Sequence, residues 1–98
     1  MVCTLLVQIS RLVDVWREIE QALQIYRSAV KQAKSAGDEL AAKWEGDARE
    51  VFVAEHEKAY EWHQGMIGII LVVIATIKET VTRYEEADRA AKEAIGGR

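Results

Sequence analysis

The chain has no proline among its 98 residues and only one cysteine. Proline interrupts helix interiors, so its absence leaves long continuous helices open to this sequence. A single cysteine excludes an internal disulfide framework. We interpret Cys3 as a small apolar residue near a chain end, rather than as a site of lipid attachment or of an intermolecular disulfide.

An excess of charge of one sign is also missing. The formal net charge is -3 and the pI is ≈ 5.4, and the sequence lacks the basic face of nucleic-acid-binding proteins. We therefore expect no nucleic-acid partner. The stretch from Met1 to Ile9 has no basic start, apolar core or small-residue cleavage site, which are the parts of a signal peptide. Export, if it occurs, should then use a route that needs no such leader.

The residues that are present suit one small helical domain. Half of them are hydrophobic and 30% are charged, as in globular proteins rather than disordered ones. A chain of this length buries a limited share of its surface and often needs a partner for stability. We predict one domain over residues 1–98, with a helix over about 5–43, a turn at 44–46 and a second helix over about 48–95.

Apolar residues in the first half alternate at spacings of four and three, which places them on one stripe of a helix. The stripe contains Leu5, Ile9, Leu12, Trp16, Ile19, Leu23, Tyr26, Val30, Ala33, Gly37, Leu40 and Trp44. Gly37 weakens this helix by about 1 kcal/mol relative to alanine without ending it. In the seam, it also allows a neighbouring helix to approach closely.

A turn is predicted where this stripe ends, at Trp44 to Asp47. Gly46 can adopt the left-handed conformation that closes a helix. Asp47 is predicted to cap the next helix, with Glu50 completing a capping box. Because the connection is only a few residues long, the two helices should fold back as an antiparallel hairpin.

The second helix carries two neighbouring stripes. The main stripe contains Phe52, Ala59, His63, Met66, Ile70, Val73, Ile77, Tyr84 and Ala91, and the second contains Tyr60, Ile67, Ile74, Val81 and Asp88. Residues 62–77, the apolar belt, include no Asp, Glu, Lys or Arg.

A helix of the belt's length is about 24 Å long, less than the roughly 30 Å core of a membrane. We interpret the belt as a buried core helix and expect no stable membrane insertion. A helix that is apolar on all sides must be covered on several sides. One partner helix cannot do this, so we predict a dimer that forms a four-helix bundle.

The chemistry-bearing residues do not form the pattern of an enzyme. His56, Tyr60 and His63 share one helical face, but Tyr60 stands where a His-Glu-x-x-His zinc motif requires its second histidine. We interpret this face as a plain interface. Glu85, Glu86 and Asp88 lie among basic residues and indicate a solvated surface. We expect no catalysis, cofactor or metal.

Two short motifs remain. Trp44 and Gly46 form a Trp-x-Gly motif. The same residues are also explained structurally, as an aromatic residue of the α-helical stripe followed by a glycine that ends the helix. Tyr84 and Asp88 are four residues apart, so they share a helix face and can form one epitope. An acidic residue near a helix C-terminus opposes the helix dipole, which favours a binding role for Asp88 over a stabilising one.

These motifs resemble those of the WXG superfamily, small helical-hairpin substrates of type VII secretion systems. Trp44 and Gly46 match its turn, Ala48 and Phe52 match the positions after it, and the pair Tyr84 and Asp88 matches its C-terminal export signal. The resemblance implies a dimer, with itself or a paralogue, that is exported folded. It also implies a signal read by a membrane-associated ATPase of the FtsK/SpoIIIE type. Members serve as secreted effectors, or as partners that carry another substrate out. The aromatic Trp62 and the very apolar stretch over residues 66–77 depart from the commonest pattern and leave the partner open.

The length of the second helix gives the motifs a joint meaning. From Ala48 to Tyr84 a helix spans about 54 Å, so the two motifs should lie at opposite ends of one hairpin. In an antiparallel dimer, the turn of one chain would meet the signal of the other. We predict a secreted substrate with this bipartite signal, or alternatively a partner co-exported with a larger toxin. The predicted dimer interface contains Trp16, Leu23, Trp62, Met66, Ile70, Val73 and Ile77.

Overall fold

A computed structural model describes the backbone of residues 2–96 and the side chains of residues 6–96. It contains two helices, α1 (Val2–Lys43) and α2 (Asp47–Gly96), and no strand within residues 2–96. The all-α helical hairpin predicted from the sequence is confirmed, with helix ends within a few residues of those expected. The predictions for the side chains of Cys3 and Leu5 lie outside the described residues, as does Gly97.

The chain divides into two compact units. The turn unit is formed by residues 22–70, and the terminal unit by residues 1–21 together with residues 71–98. In the turn unit, residues later in α1 contact residues earlier in α2. Tyr26 is hydrogen-bonded to His63, Lys34 to His56 and Ala41 to Arg49. In the terminal unit, Glu20 pairs with Lys78, and Leu6 and Ile9 lie beside Asp88. The two helices therefore run antiparallel in each unit.

The buried face of α1 follows the predicted stripe and then leaves it. Leu23, Val30 and Gly37 are buried, but Leu40 is exposed and Ala41 is buried in its place. An α-helix drifts by about 20° per heptad relative to a seven-residue repeat. Over several heptads this drift adds up to a large part of the roughly 100° that separates successive residues around a helix. The buried position therefore moves from one residue to the next along the chain. The stripe prediction is therefore wrong at Leu40, because a strict heptad does not follow a helix with 3.6 residues per turn.

The buried face of α2 is the second stripe, not the one predicted to be the main stripe. Ile67 is buried in the turn unit, and Ile74 and Val81 are buried in the terminal unit. Main-stripe residues lie at the edges of these cores: Met66, Ile70 and Ile77 are half-buried, and Val73 is exposed. Apolar spacing alone did not distinguish the centre of the contact from its flank.

The apolar belt is exposed over most of its surface. In the turn unit, Trp62 and Ile69 are exposed; in the terminal unit, Leu71 and Val72 are exposed. Within the single chain α1 covers only one line of the belt, as expected for one partner helix, and burial of the remainder in a dimer stays a prediction. Helix α2 also contains an 18-residue stretch that is long and apolar enough to cross a membrane by length and composition, of which 17% is buried.

Candidate functional site

The turn between the helices depends on the conformation of Gly46. Its φ is 91°, in the left-handed region that side chains with a Cβ disfavour, as predicted. The Gly46 carbonyl accepts hydrogen bonds from the backbone N–H groups of Arg49 at 3.1 Å and Glu50 at 3.4 Å. A residue whose carbonyl accepts the first helical bond is the N-cap. The prediction of Asp47 as the cap is therefore wrong: Asp47 is the first helical residue, where its charge still favours the helix dipole.

Trp44 is held at the turn by an aromatic ladder. Its ring meets Phe52 edge to face at 5.3 Å between centroids. The Phe52 ring in turn stacks on His56 at 5.5 Å and 9° between planes. Edge-to-face and stacked pairs are favourable arrangements for aromatic rings. The Trp44 side chain nevertheless remains 43% exposed, so it is fixed from one side and open on another.

The ladder ends at Gly37, against which the His56 side chain lies. A Cβ at Gly37 would lie 2.2 Å from the Cε1 atom of His56, which is impossible without movement of the imidazole. His56 also donates from Nε2 to the Lys34 carbonyl at 3.2 Å, with the Asp38 carboxylate 3.7 Å away. The space beside Gly37, which the sequence offered to a closely approaching helix, is occupied by the His56 side chain of α2.

Arg49 is a residue of the turn that the sequence did not single out. Its Nε donates to the Ala41 carbonyl at 2.7 Å. The last four carbonyls of a helix have no partner within the helix, and this contact satisfies one of them. No local sequence signal marks it, because the donor comes from the following helix, eight residues later.

The histidine face of α2 is turned toward α1 within the turn unit. An opening between the helices is lined by Tyr26, Ala29, Val30, Ala33, Lys34, His56, Ala59, Tyr60 and His63. The Tyr26 hydroxyl is hydrogen-bonded to Nδ1 of His63. A hydrogen bond to Asp38 raises the pKa of Lys34 above its usual value. Within the described residues, no group of three or more His, Cys, Asp or Glu side chains is arranged to hold a metal ion.

Tyr84 and Asp88 lie in the terminal unit, against the first turns of α1. Tyr84 lines a groove with Gln8, Arg11, Leu12 and Val15. Asp88 lines another groove with Leu6, Ile9, Glu85, Arg89 and Lys92. The Asp88 carboxylate pairs with Lys92 Nζ at 3.0 Å. The pair predicted to form one surface epitope thus borders grooves shared with α1. Asp88 also has a local partner, Lys92, which the helix-dipole argument did not anticipate.

Known families can be compared with three features of this chain: the hairpin, its Trp-x-Gly turn and the Tyr-x-x-x-Asp pair. The WXG100 model, described as proteins of 100 residues with WXG, matches residues 5–89. The chain belongs to the WXG100 family. This confirms the resemblance found in the sequence. Neither the curated proteins nor the solved structures give a significant match.

WXG100 proteins are small helical substrates of type VII secretion, so membership identifies the general route by which such chains leave the cell. They typically pair with themselves or with paralogues, and the family is not known for enzymatic activity.

The side chains predicted to form a WXG100 dimer interface differ in how much of their surface the single chain leaves free. Leu23 is buried in the turn unit, so little of it remains for another chain. Trp62 and Val73 are exposed. The remaining four are half-buried: Trp16, Met66, Ile70 and Ile77. The free surface of this set therefore lies mainly on α2.

Proposed function

We propose that this WXG100 chain is exported by a type VII secretion system as a folded dimer with a signal in two parts. The first part is Trp44 with Gly46, and the second is Tyr84 with Asp88. The family match supports the secretion route. The observation that carries the two-part signal is the Trp44 ring: Phe52 supports one side while 43% of the side chain stays exposed. A rigid, half-exposed aromatic ring is typical of residues that anchor a protein contact.

Exposed apolar side chains support dimerisation. Trp62 in the turn unit is 62% exposed and Val73 in the terminal unit is 43% exposed, and exposed apolar surface of this kind marks interaction sites in soluble proteins. Met66, Ile70 and Ile77 are already half-buried at the edge of each core. A second hairpin, either another copy or a paralogue, would cover this flank of α2 and complete a four-helix bundle.

An antiparallel dimer would bring the two parts of the signal together. In such a dimer, the turn of one chain lies beside the chain ends of the other. Trp44 would then meet Tyr84 and Asp88 of the second copy. In this proposal a secretion ATPase of the FtsK/SpoIIIE type contacts the composite surface, so it recognises only assembled dimers.

Secretion of full-length variants tests the signal. Tyr84→Ala combined with Asp88→Ala, and separately Trp44→Ala, should reduce the protein in the culture medium while the cytoplasmic level is maintained. Removing the segment after Arg83 should have the same effect. Glu86→Ala combined with Glu93→Ala is the matched control, because both side chains are exposed on the same part of α2, and secretion should stay normal.

The oligomeric state of each variant decides what a loss of secretion means. Light scattering on purified protein should show that the Tyr84 and Asp88 variant still dimerises. Normal secretion of that variant would contradict the export-signal assignment. Loss of secretion together with loss of the dimer would assign these residues to assembly instead.

A second candidate function is that of a partner co-exported with a larger toxin. The exposure of Trp62 and Val73 favours it, since a toxin segment could cover the same flank. A soluble dimer of the purified chain supports the first proposal, whereas aggregation that is relieved only by a co-expressed toxin supports the second. Dye leakage from liposomes at neutral or acidic pH would instead indicate direct membrane action through α2.

A further inference from the structure

The acidic member of the second part of the proposed signal, Asp88, is largely hidden beside the chain's own first helix, whereas Tyr84 is exposed. The Asp88 side chain is 13% exposed, and Leu6 and Ile9 of α1 lie beside it. Tyr84 is 37% exposed and borders Arg11 and Leu12. Residues 6–12 therefore lie against both members of the pair, and we call them the cover segment.

The Asp88 carboxylate is a poor target for a receptor in this arrangement. It is engaged by Lys92 Nζ at 3.0 Å, and most of its surface is hidden. A receptor that uses an acidic side chain must reach it with a hydrogen-bond donor or a cation. With α1 in place, Tyr84 is the more accessible member of the pair.

We propose that the cover segment masks the export signal and must separate from α2 before a receptor can contact Asp88. This inference rests on the proposed function of Tyr84 and Asp88 as a signal. It adds a regulatory step: the folded chain is held in a covered form, and only the open form is recognised.

The cover segment is held weakly, which makes its separation feasible. No side chain from residue 6 to residue 22 is buried, and Leu6 and Val7 are exposed. The first turn of α1 contains no acidic residue that would favour the positive end of the helix dipole. Segments with few buried apolar contacts open locally at low free-energy cost.

The inner limit of the opening is set by Val81, which is 2% exposed. Among the described side chains of the terminal unit it is the most completely buried, and Glu20 pairs with Lys78 further along α1 at 3.5 Å. Opening limited to residues 6–12 would leave this core in place. Tyr84 and Asp88 would then be presented on an intact helix.

Chemical labelling measures the cover directly in the full chain. In a Cys3→Ser background, Asp88→Cys should react slowly with a maleimide, while Glu86→Cys, at an exposed position, should react fast. Adding Ile9→Ala and Leu12→Ala should raise the rate at position 88 several-fold, because half-buried contacts are removed. Ile25→Ala, an exposed site on the same helix outside the cover segment, should leave it unchanged. Equal rates at positions 88 and 86 without these changes would overturn the proposal.

Receptor binding tests whether opening matters. With native Asp88, the Ile9→Ala and Leu12→Ala variant should bind the soluble domains of the cell's own secretion ATPase several-fold more tightly than the unaltered chain. Apparent affinity rises with the fraction of the chain in the competent form. Circular dichroism should show unchanged helicity; if the double variant unfolds, Ile9→Ala alone gives the same comparison. Faster labelling without tighter binding would show that the signal is recognised with the cover in place.

Different results would contradict the assignment of the export signal and the proposal that the cover segment masks it. If Tyr84→Ala with Asp88→Ala leaves secretion normal, the signal assignment is wrong, whatever the labelling rates are. If those changes abolish secretion but the cover variants bind no better, the signal stands and the cover is wrong.

Discussion

The two units of the chain use the same antiparallel helix pairing but are held by different interactions. The turn unit has the aromatic ladder from Trp44 to His56, the Arg49 contact and the close approach at Gly37. The terminal unit has Ile74 and Val81 in its core, with exposed ion pairs around them. Exposed ion pairs contribute little to stability. We infer that specific packing fixes the turn, while the end that carries Tyr84 and Asp88 is easier to open.

The strongest test of this difference compares two isoleucines of α2. Ile67 and Ile74 are buried to the same degree, one in each unit. Replacing either with alanine removes the same atoms, and buried Ile→Ala changes cost about 2–5 kcal/mol, depending on how well the site relaxes. We expect Ile67→Ala to lie near the upper end and Ile74→Ala near the lower end. Urea denaturation at one protein concentration measures both free energies of unfolding.

Ile25→Ala provides the control for this comparison, since Ile25 is exposed on α1. Its effect should stay within about 0.5 kcal/mol. Equal losses for Ile67→Ala and Ile74→Ala would contradict the proposed difference between the units.

The fold was accessible from the sequence because helical periodicity and a glycine turn are local signals. Leu23, Val30 and Gly37 of the first stripe are buried as predicted, although Ala33 of the same stripe is exposed. The left-handed Gly46 was also predicted correctly. Errors arose where a choice depended on small angles. The exchange of Leu40 for Ala41 follows from helix drift, and the choice between the two stripes of α2 depends on how the helix is rotated about its axis. A single sequence does not specify that rotation.

The site was less predictable because its contacts join residues distant in sequence. Trp44, Gly46, Tyr84 and Asp88 were found as motifs, but the Phe52 support and the α1 cover were not. Tyr26 bonds to His63 across 37 positions, and no local pattern marks such a pair. Asp47 was mistaken for the cap because aspartate is a favoured N-cap residue, whereas Gly46 already occupies that position.

Gly37→Ala is the next most informative change, because His56 should determine whether it lowers or raises the free energy of unfolding. In the native chain the new methyl group collides with the imidazole, and overpacking of this kind costs about 1–3 kcal/mol. With His56→Ala the space is empty, and alanine should stabilise the helix by up to about 1 kcal/mol. Thermal or urea unfolding of the four variants gives the coupling between the two positions.

Gly65→Ala serves as the matched control, since nothing lies within 4 Å of a Cβ at that position. It should stabilise both the native and the His56→Ala backgrounds to a similar extent. If Gly37→Ala stabilises the native chain as much as Gly65→Ala does, the close approach does not contribute to the rigidity of the turn unit.

The smallest expected effect comes from comparing how much one polar contact in each unit contributes to stability. Arg49→Met removes the donor to the Ala41 carbonyl and leaves that helix end without this partner, at a cost of about 1 kcal/mol. Arg83→Met makes the same chemical change in the terminal unit, where Arg83 pairs with Glu79 at 2.7 Å on an exposed surface, and should cost about 0.3–0.5 kcal/mol. Raising the salt concentration should reduce the second loss, because screening weakens exposed pairs, but leave most of the first. Two losses of similar size and salt dependence would mean that Arg49 behaves as an ordinary surface charge, and that the rigidity of the turn depends on the aromatic ladder and Gly37 alone.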